Sequence, residues 1–161
     1  MSTARVKEYL KRWGRDKDVV ETETSTATVP QAAAALGVVR GRIAKSITLR
    51  NGQGGGLMVV TSGDVKIDNK KFKQYFGFSP RMLNTEEARV LTGFMVGGVC
   101  PFGLPAGLAV YLDESLRRFD TVFPACGSSN SMIELTVDQL MEYSLSREWI
   151  DVCKVVLDAP E

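Results

Sequence analysis

Two stretches of the chain carry residues of a type and spacing that could do chemistry. The first is Ile43-Ala44-Lys45-Ser46-Ile47-Thr48-Leu49 and the second Gly97-Gly98-Val99-Cys100-Pro101-Phe102-Gly103. The first has the pattern of a strand, so Ile43, Lys45, Ile47 and Leu49 share one face. That face is apolar, and an ammonium there is costly unless anions or a dense set of acceptors receive it. Lys45 therefore either lines a pocket or snorkels to water from the strand end. In the second stretch, glycine admits positive φ and close backbone approach, while proline fixes the local turn. Such a loop can present several N–H or C=O groups to one small ligand, as an oxyanion hole or a carbonyl cage for an ammonium. Its alternative is a tight structural crossover between helix and strand. The two stretches together favour the pocket reading of Lys45. A smaller loop, Ala125-Cys126-Gly127-Ser128-Ser129-Asn130, either closes polar residues over a ligand or makes an ordinary polar turn.

Absent residue types narrow the chemistry further. The chain has no histidine, so it can build neither a Ser-His-Asp or Cys-His nucleophile system nor a histidine metal site. Its three cysteines (Cys100, Cys126, Cys153) are odd in number and widely spaced. That argues against a disulfide framework and a zinc site, and suits a reducing cytosol. A Cys100 thiolate would need Lys45 or backbone dipoles to lower its pKa, so Cys100 reads as filler or pocket wall. The expectation is a cytoplasmic protein without signal peptide, membrane span or lipid anchor.

Twenty basic and nineteen acidic residues leave a net charge of +1, so no strong global field marks a nucleic-acid binder. The distribution is less even than the sum. Arg5, Lys7, Lys11, Arg12, Arg15 and Lys17 crowd the N-terminal region, and Lys66, Lys70, Lys71 and Lys73 form a second cluster. Either cluster could touch RNA phosphates or be a solvated helix face.

The elements that must position these groups read as follows. Residues 4–13 suit a helix with Val6, Tyr9, Leu10 and Trp13 on one face and Gly14 as the stop. A short strand lies near 18–21. Thr28-Val29-Pro30-Gln31 is a capping box for a helix that ends at Gly37. Strands 43–50 and 57–62 form a hairpin across Asn51–Gly56. Asp68 caps a helix over 69–76, and Asn84 with Glu87 caps another to about Leu91. The segments 108–112, 121–126, 132–135 and 149–156 read as strands, and Thr136–Gln139 caps a helix to about Tyr143. The 161 residues are enough for one domain with a sizeable core. The expected class is an α+β or mixed-sheet domain with helices around it.

The chain resembles the YbaK/ProX family of aminoacyl-tRNA deacylases, related to the editing domain inserted in bacterial prolyl-tRNA synthetases. The matching residues begin with Ala32-Ala33-Ala34-Ala35-Leu36-Gly37-Val38 and Arg42-Ile43-Ala44-Lys45-Ser46-Ile47. Gly63-Asp64, Ile67-Asp68, Lys71, Thr92-Gly93-Phe94 and the 97–103 loop follow, then Asp113, Gly127 and Ile133-Glu134-Leu135-Thr136 to Leu140. The resemblance spans roughly 25–143. It implies an α+β fold with a mixed, largely antiparallel sheet and flanking helices, and hydrolysis of the ester that joins a wrong amino acid to the tRNA 3′ adenosine, without metal or other cofactor. It places Lys45 on the family's functional lysine, and Gly97 and Pro101 on its Gly-x-x-x-Pro loop. The chain departs at Cys100, where many members carry serine, and the Ser128-Ser129-Asn130 segment falls outside the matched motifs.

These readings combine into one expectation. Lys45, Gly97, Gly98 and Pro101 are the candidate catalytic residues. Ile47, Val99, Cys100, Phe102, Gly103, Gly127, Ser128 and Ser129 are the candidate substrate contacts, with Thr24, Thr26 and Thr28 as further rim residues or a simple pre-helix loop. The substrate is a tRNA mischarged with a small amino acid (alanine, cysteine, serine or threonine), acted on in trans. The partners are the aminoacylated 3′ end of tRNA and an aminoacyl-tRNA synthetase, with no DNA and no membrane. The competing expectations are a non-catalytic module that grips the tRNA acceptor end or a synthetase, and a small-ligand or nucleotide-binding protein using the same cleft.

Overall fold

A computed structural model of the chain describes residues 2–156. Helix α1 (Ser2–Leu10) continues as a 3-10 turn to Trp13, and Gly14 ends it in the left-handed region. After β1 (Val20–Glu21), the Thr28–Gln31 capping box forms as expected and opens α2 (Val29–Leu36). β2 (Ile43–Arg50) and β3 (Gly56–Ser62) pair as the expected hairpin. β4 (Val65–Ile67) leads into α3 (Asn69–Phe76), which Asp68 caps by accepting from the Lys70 and Lys71 N–H groups. Asn84 and Glu87 form the second capping box, opening α4 (Thr85–Thr92). The 93–107 segment has no regular structure and reaches β5 (Ala109–Asp113). β6 (Thr121–Pro124), β7 (Ser131–Met132), β8 (Leu135–Thr136), α5 (Val137–Tyr143), β9 (Trp149–Ile150) and β10 (Cys153–Val155) complete the order.

Six strands form one sheet in the order β8-β6-β2-β3-β5-β9, and β1-β7 and β4-β10 are separate two-stranded ribbons. Within the six-stranded sheet β2/β3 and β6/β8 run antiparallel, whereas β2/β6, β3/β5 and β5/β9 run parallel. With both antiparallel ribbons included, the sheet system is mixed and the class α+β. Two expected strands are each divided. Residues 132–135 split between β7 and β8, which pair with different neighbours, and 149–156 split between β9 and β10. The second division has a visible cause. Buried Asp113 accepts the Val152 N–H at 2.9 Å, turning the chain out of the main sheet toward β4.

All of β3 is buried, because both faces of the sheet are covered. On one side Met58, Val60, Val110 and Leu112 pack against Val6 and Leu10 of α1, Phe94, Phe102 and Leu140. On the other, Ile47, Leu49, Leu57 and Val59 pack against Phe72 of α3 and Ile150. The alternation of β2 therefore assigns Lys45 to the α3 side, and Ser46 and Thr48 to the side that holds the 93–107 loop.

Candidate functional site

The site begins as a gap in the sheet. β6 pairs with β2 only at Ile43 and Ala44. At the other end of β2, the Arg50 N–H donates to the Arg81 carbonyl at 2.8 Å, and the Leu83 N–H donates to the Thr48 carbonyl at 3.1 Å. Between these two covers the edge of β2 is open. The main-chain groups of Thr48 and Arg50 point outward, so the two-residue period turns those of Ser46 outward as well. A cleft of about 310 Å³ occupies the opening, floored by Ile43–Thr48. Its walls are Thr26–Val29, the 82–85 segment, and Phe94, Val96, Gly97 and Val99.

Lys45 is half-buried in this cleft, and its Nζ donates to the Val65 carbonyl at 3.3 Å. Among the described residues no carboxylate stands within ion-pair distance of it. Asp64, the acid that acts on it electrostatically, is itself held by Arg118 (2.5 and 3.1 Å) and by the Ser62 hydroxyl (2.6 Å). Burial pushes the Lys45 pKa below the ordinary lysine value, and Asp64 and Cys153 only partly offset it. One accepting carbonyl leaves two of the three ammonium N–H bonds for a ligand. The N-terminal turns of α2 and α4 also reach the cleft wall through Thr28, Val29, Asn84 and Thr85. Each adds the partial positive charge of a helix start. Among the described residues no carboxylate, thiol or imidazole lines the cleft, so it is electropositive and suits an anion or a developing oxyanion.

The two glycine loops touch each other through backbone. Gly97 has φ 88°, and a Cβ on it would stand 2.8 Å from the Ala27 Cβ. A Cβ on Gly98 would stand 2.6 Å from the Gly127 carbonyl carbon and 2.7 Å from the Ser128 nitrogen. Thr26 ties in the third segment: its N–H and hydroxyl donate to the Ser129 carbonyl at 2.6 and 3.2 Å.

Of the expected site residues, Lys45, Ile47, Gly97 and Val99 line the cleft, as do Thr26 and Thr28. The others lie behind it. Gly98 and Gly127 are buried against each other. Cys100 and Phe102 are fully buried in the core, and Pro101 is buried beside them. Burial pushes the Cys100 thiol up to about 12, which leaves no thiolate to act as nucleophile. The Gly103 carbonyl faces away, toward Arg5. The Ser128 hydroxyl bonds to Asn130 (3.0 Å) and Ser131 (2.7 Å), and Ser129 contributes its carbonyl to Thr26, so both brace the wall rather than line it. Thr24 is exposed outside the lining. Ser46, Thr48, Asn84, Thr85 and Phe94 line the cleft without having been expected there. Ser46 and Thr48 had a legible signal, as the polar residues on the face of β2 opposite Lys45.

A family model for the aminoacyl-tRNA editing domain matches residues 23–143. The chain belongs to the aminoacyl-tRNA editing family. It is 54% identical over 154 residues to the uncharacterized protein YwhH of Bacillus subtilis (strain 168), a match covering 96% of this chain and 98% of that one. A protein of Enterococcus faecalis provisionally named Cys-tRNA(Pro)/Cys-tRNA(Cys) deacylase EbsC is 26% identical over 136 residues, 84% of this chain and 77% of its own. A solved structure, provisionally described as a trans-editing enzyme for prolyl tRNA synthetase, superposes with a TM-score of 0.84 at 32% identity. It covers 95% of this chain and 97% of its own. Editing is hydrolysis of an aminoacyl-tRNA ester, and this editing domain is an aminoacyl-tRNA hydrolase.

Helix α1 lies outside the matched span of the editing domain yet holds its glycine loop. Arg5 Nη2 donates to the Thr92 carbonyl at 3.1 Å and to the Gly103 carbonyl, and the guanidinium lies 4.5 Å from the Phe94 ring centroid. One side chain thus joins the two ends of the 93–103 loop. Arg5→Ala should loosen that loop and lower kcat/KM on the order of tenfold, because small misplacements of positioning groups are costly. Steady-state kinetics beside a thermal melt would check it; an unchanged kcat/KM would show that the loop keeps its place unaided.

Proposed function

We propose that the editing domain acts in trans on tRNA charged with a small amino acid, from the set alanine, cysteine, serine and threonine, and that it does so without a metal. The observation that carries this reading is the cleft itself. Its 310 Å³ stands at the low end of small-ligand sites, and Lys45 is the one titratable side chain among the described residues that line it. The aminoacyl end enters over the open edge of β2. Lys45 supplies fixed positive charge to the terminal phosphate or to the ester carbonyl, stabilising charge that grows in the transition state. Backbone groups at Gly97–Val99 and at Ser46 hold the amino acid and orient water. With no carboxylate or imidazole in the lining, the proton of the attacking water passes through a water relay or to a ribose hydroxyl. A cysteinyl substrate could use its own thiol. An aminoacyl ester is already activated, so positioning and electrostatics suffice. The described lining residues offer a metal no carboxylate, thiolate or imidazole, which supports chemistry without one. The described roles of its relatives support cysteine as one substrate and a prolyl-tRNA synthetase as the enzyme it accompanies.

The test is hydrolysis of tRNAs charged with alanine, cysteine, serine, threonine and proline. Turnover of one or two of the small esters is the expected result. Cleavage of none, or preference for the prolyl ester, would overturn the reading. Pocket volume alone separates single methylenes by about 1–3 kcal/mol, so neighbouring small esters should differ by about 10–200-fold.

A further inference from the structure

We infer that the surface running from Lys45 past Lys66 to Lys154 and Lys70 is the docking track for phosphates of the tRNA acceptor strand; this rests on the editing activity proposed above. Among the described residues the fold engages most of the N-terminal basic cluster, Lys17 excepted, and leaves most of the second cluster without an ion pair. At the N-terminus, Lys7 pairs with Glu21 (2.9 Å), Lys11 with Glu8 (3.1 Å) and Arg15 with Asp18 (2.5 Å). Lys71 of the second cluster is likewise spent on Asp151 (3.1 Å). Lys66, Lys70 and Lys154 have no ion-pair partner among the described residues, and all three are exposed.

Lys66 and Lys154 stand directly opposite each other on β4 and β10. Like charges at facing positions of an antiparallel ribbon repel, and an anion lying across them would relieve that repulsion. Asp68 is the acid at this surface, and its Oδ1 is engaged as the cap of α3, accepting from Lys70 and Lys71 N–H at 3.0 and 3.1 Å.

The track is continuous with the catalytic cleft. Lys45, Ile47 and Met82 line both the cleft and an adjoining hollow of about 370 Å³. Lys66, Ile67 and Asn69 carry that hollow into a third, of about 600 Å³, that holds Lys70 and Lys154. On the wall opposite β2 the cleft carries exposed Val96, and α4 beyond Thr85 presents Glu86, already paired with Arg89. A sugar–phosphate chain leaving a terminal adenosine in the cleft meets Lys66, Lys154 and Lys70 on the β4–β10 side.

The test compares Lys66→Glu and the double variant Lys66→Gln/Lys154→Gln with the parent on two substrates: full aminoacyl-tRNA, and the same amino acid esterified to adenosine alone. Lys66→Glu turns a repulsive cross-strand pair into an attractive one, so its Tm should equal or exceed that of the parent. Its KM for aminoacyl-tRNA should nevertheless rise about tenfold. In the double variant, log(kcat/KM) against log salt should flatten by about 1.4, roughly 0.7 for each lost single-strand phosphate contact. Turnover of the adenosine ester should not change. Unchanged kinetics on tRNA would overturn the track, as would an equal loss on both substrates. Unchanged kinetics with weakened binding to a synthetase would give the surface to a protein partner instead. A parent inactive on both esters would overturn the editing assignment itself, a result distinct from any of these.

Discussion

Replacing Lys45 with alanine is expected to lower kcat/KM for the preferred aminoacyl-tRNA by about 10²–10³-fold, the usual loss when a preorganised group that stabilises developing charge is removed. The same substitution should leave the unfolding free energy unchanged or raised. The ammonium is half-buried, has one carbonyl partner and has no carboxylate within ion-pair distance among the described residues. Removing it abolishes a desolvation cost that the fold bears for the sake of the site. Its lowered pKa fixes the sign of two pH effects. The charged form is disfavoured in the folded state, so the unfolded chain binds the proton more tightly. Stability should therefore rise with pH across the window from the folded-state pKa up to the ordinary 10.5. Below that window the full cost is present, and Lys45→Met should flatten the rise. The proposed mechanism uses the charged form, so the alkaline limb of the enzymatic rate should fall below pH 10.5, after subtraction of spontaneous ester hydrolysis. Urea melts and a pH–rate profile check both. Retention of full activity in a folded Lys45→Ala variant would remove Lys45 from the mechanism.

Gly98→Ala should damage both stability and activity. The new Cβ would meet the Gly127 carbonyl carbon and the Ser128 nitrogen, both well inside contact distance. Main chain cannot swing aside as a side chain can, so the 97–103 and 125–130 loops must separate. Overpacking of this kind costs about 1–3 kcal/mol. Displacing Gly97 and Val99 from the cleft should reduce kcat/KM by about 10²-fold. Chemical denaturation and single-turnover kinetics separate the two effects. A variant with parental kinetics would mean that the loops are not rigidly coupled.

Local signals were the legible ones. Three capping boxes, Thr28–Gln31, Asn84–Glu87 and Thr136–Gln139, all form, because each is decided by two residues within one turn of helix. The β4–β10 ribbon was not legible. It joins Ile67 to Cys153, and three-residue strands carry too little periodicity to announce a partner so distant in sequence. The same ribbon supplies the Val65 carbonyl to Lys45, so part of the site's support was hidden with it. Within the site, alternation along β2 was enough to pick out Lys45 and Ile47, and glycine density picked out Gly97. Cys100, Phe102, Ser128 and Ser129 were read as ligand contacts because the two sides of an irregular loop are indistinguishable in sequence. Only the packed structure shows that Cys100 and Phe102 serve the core and that the serines serve as struts.

The open edge of β2 also bears on how the protein behaves in concentrated solution. Exposed strand edges are templates for edge-to-edge polymerisation. Here the open stretch is short, lying between β6 at Ala44 and the 81–83 segment at Thr48 and centred on the outward main chain of Ser46. A gap that short offers a foreign strand few main-chain partners to register on, so this stretch of β2 is a poor template for edge-to-edge pairing.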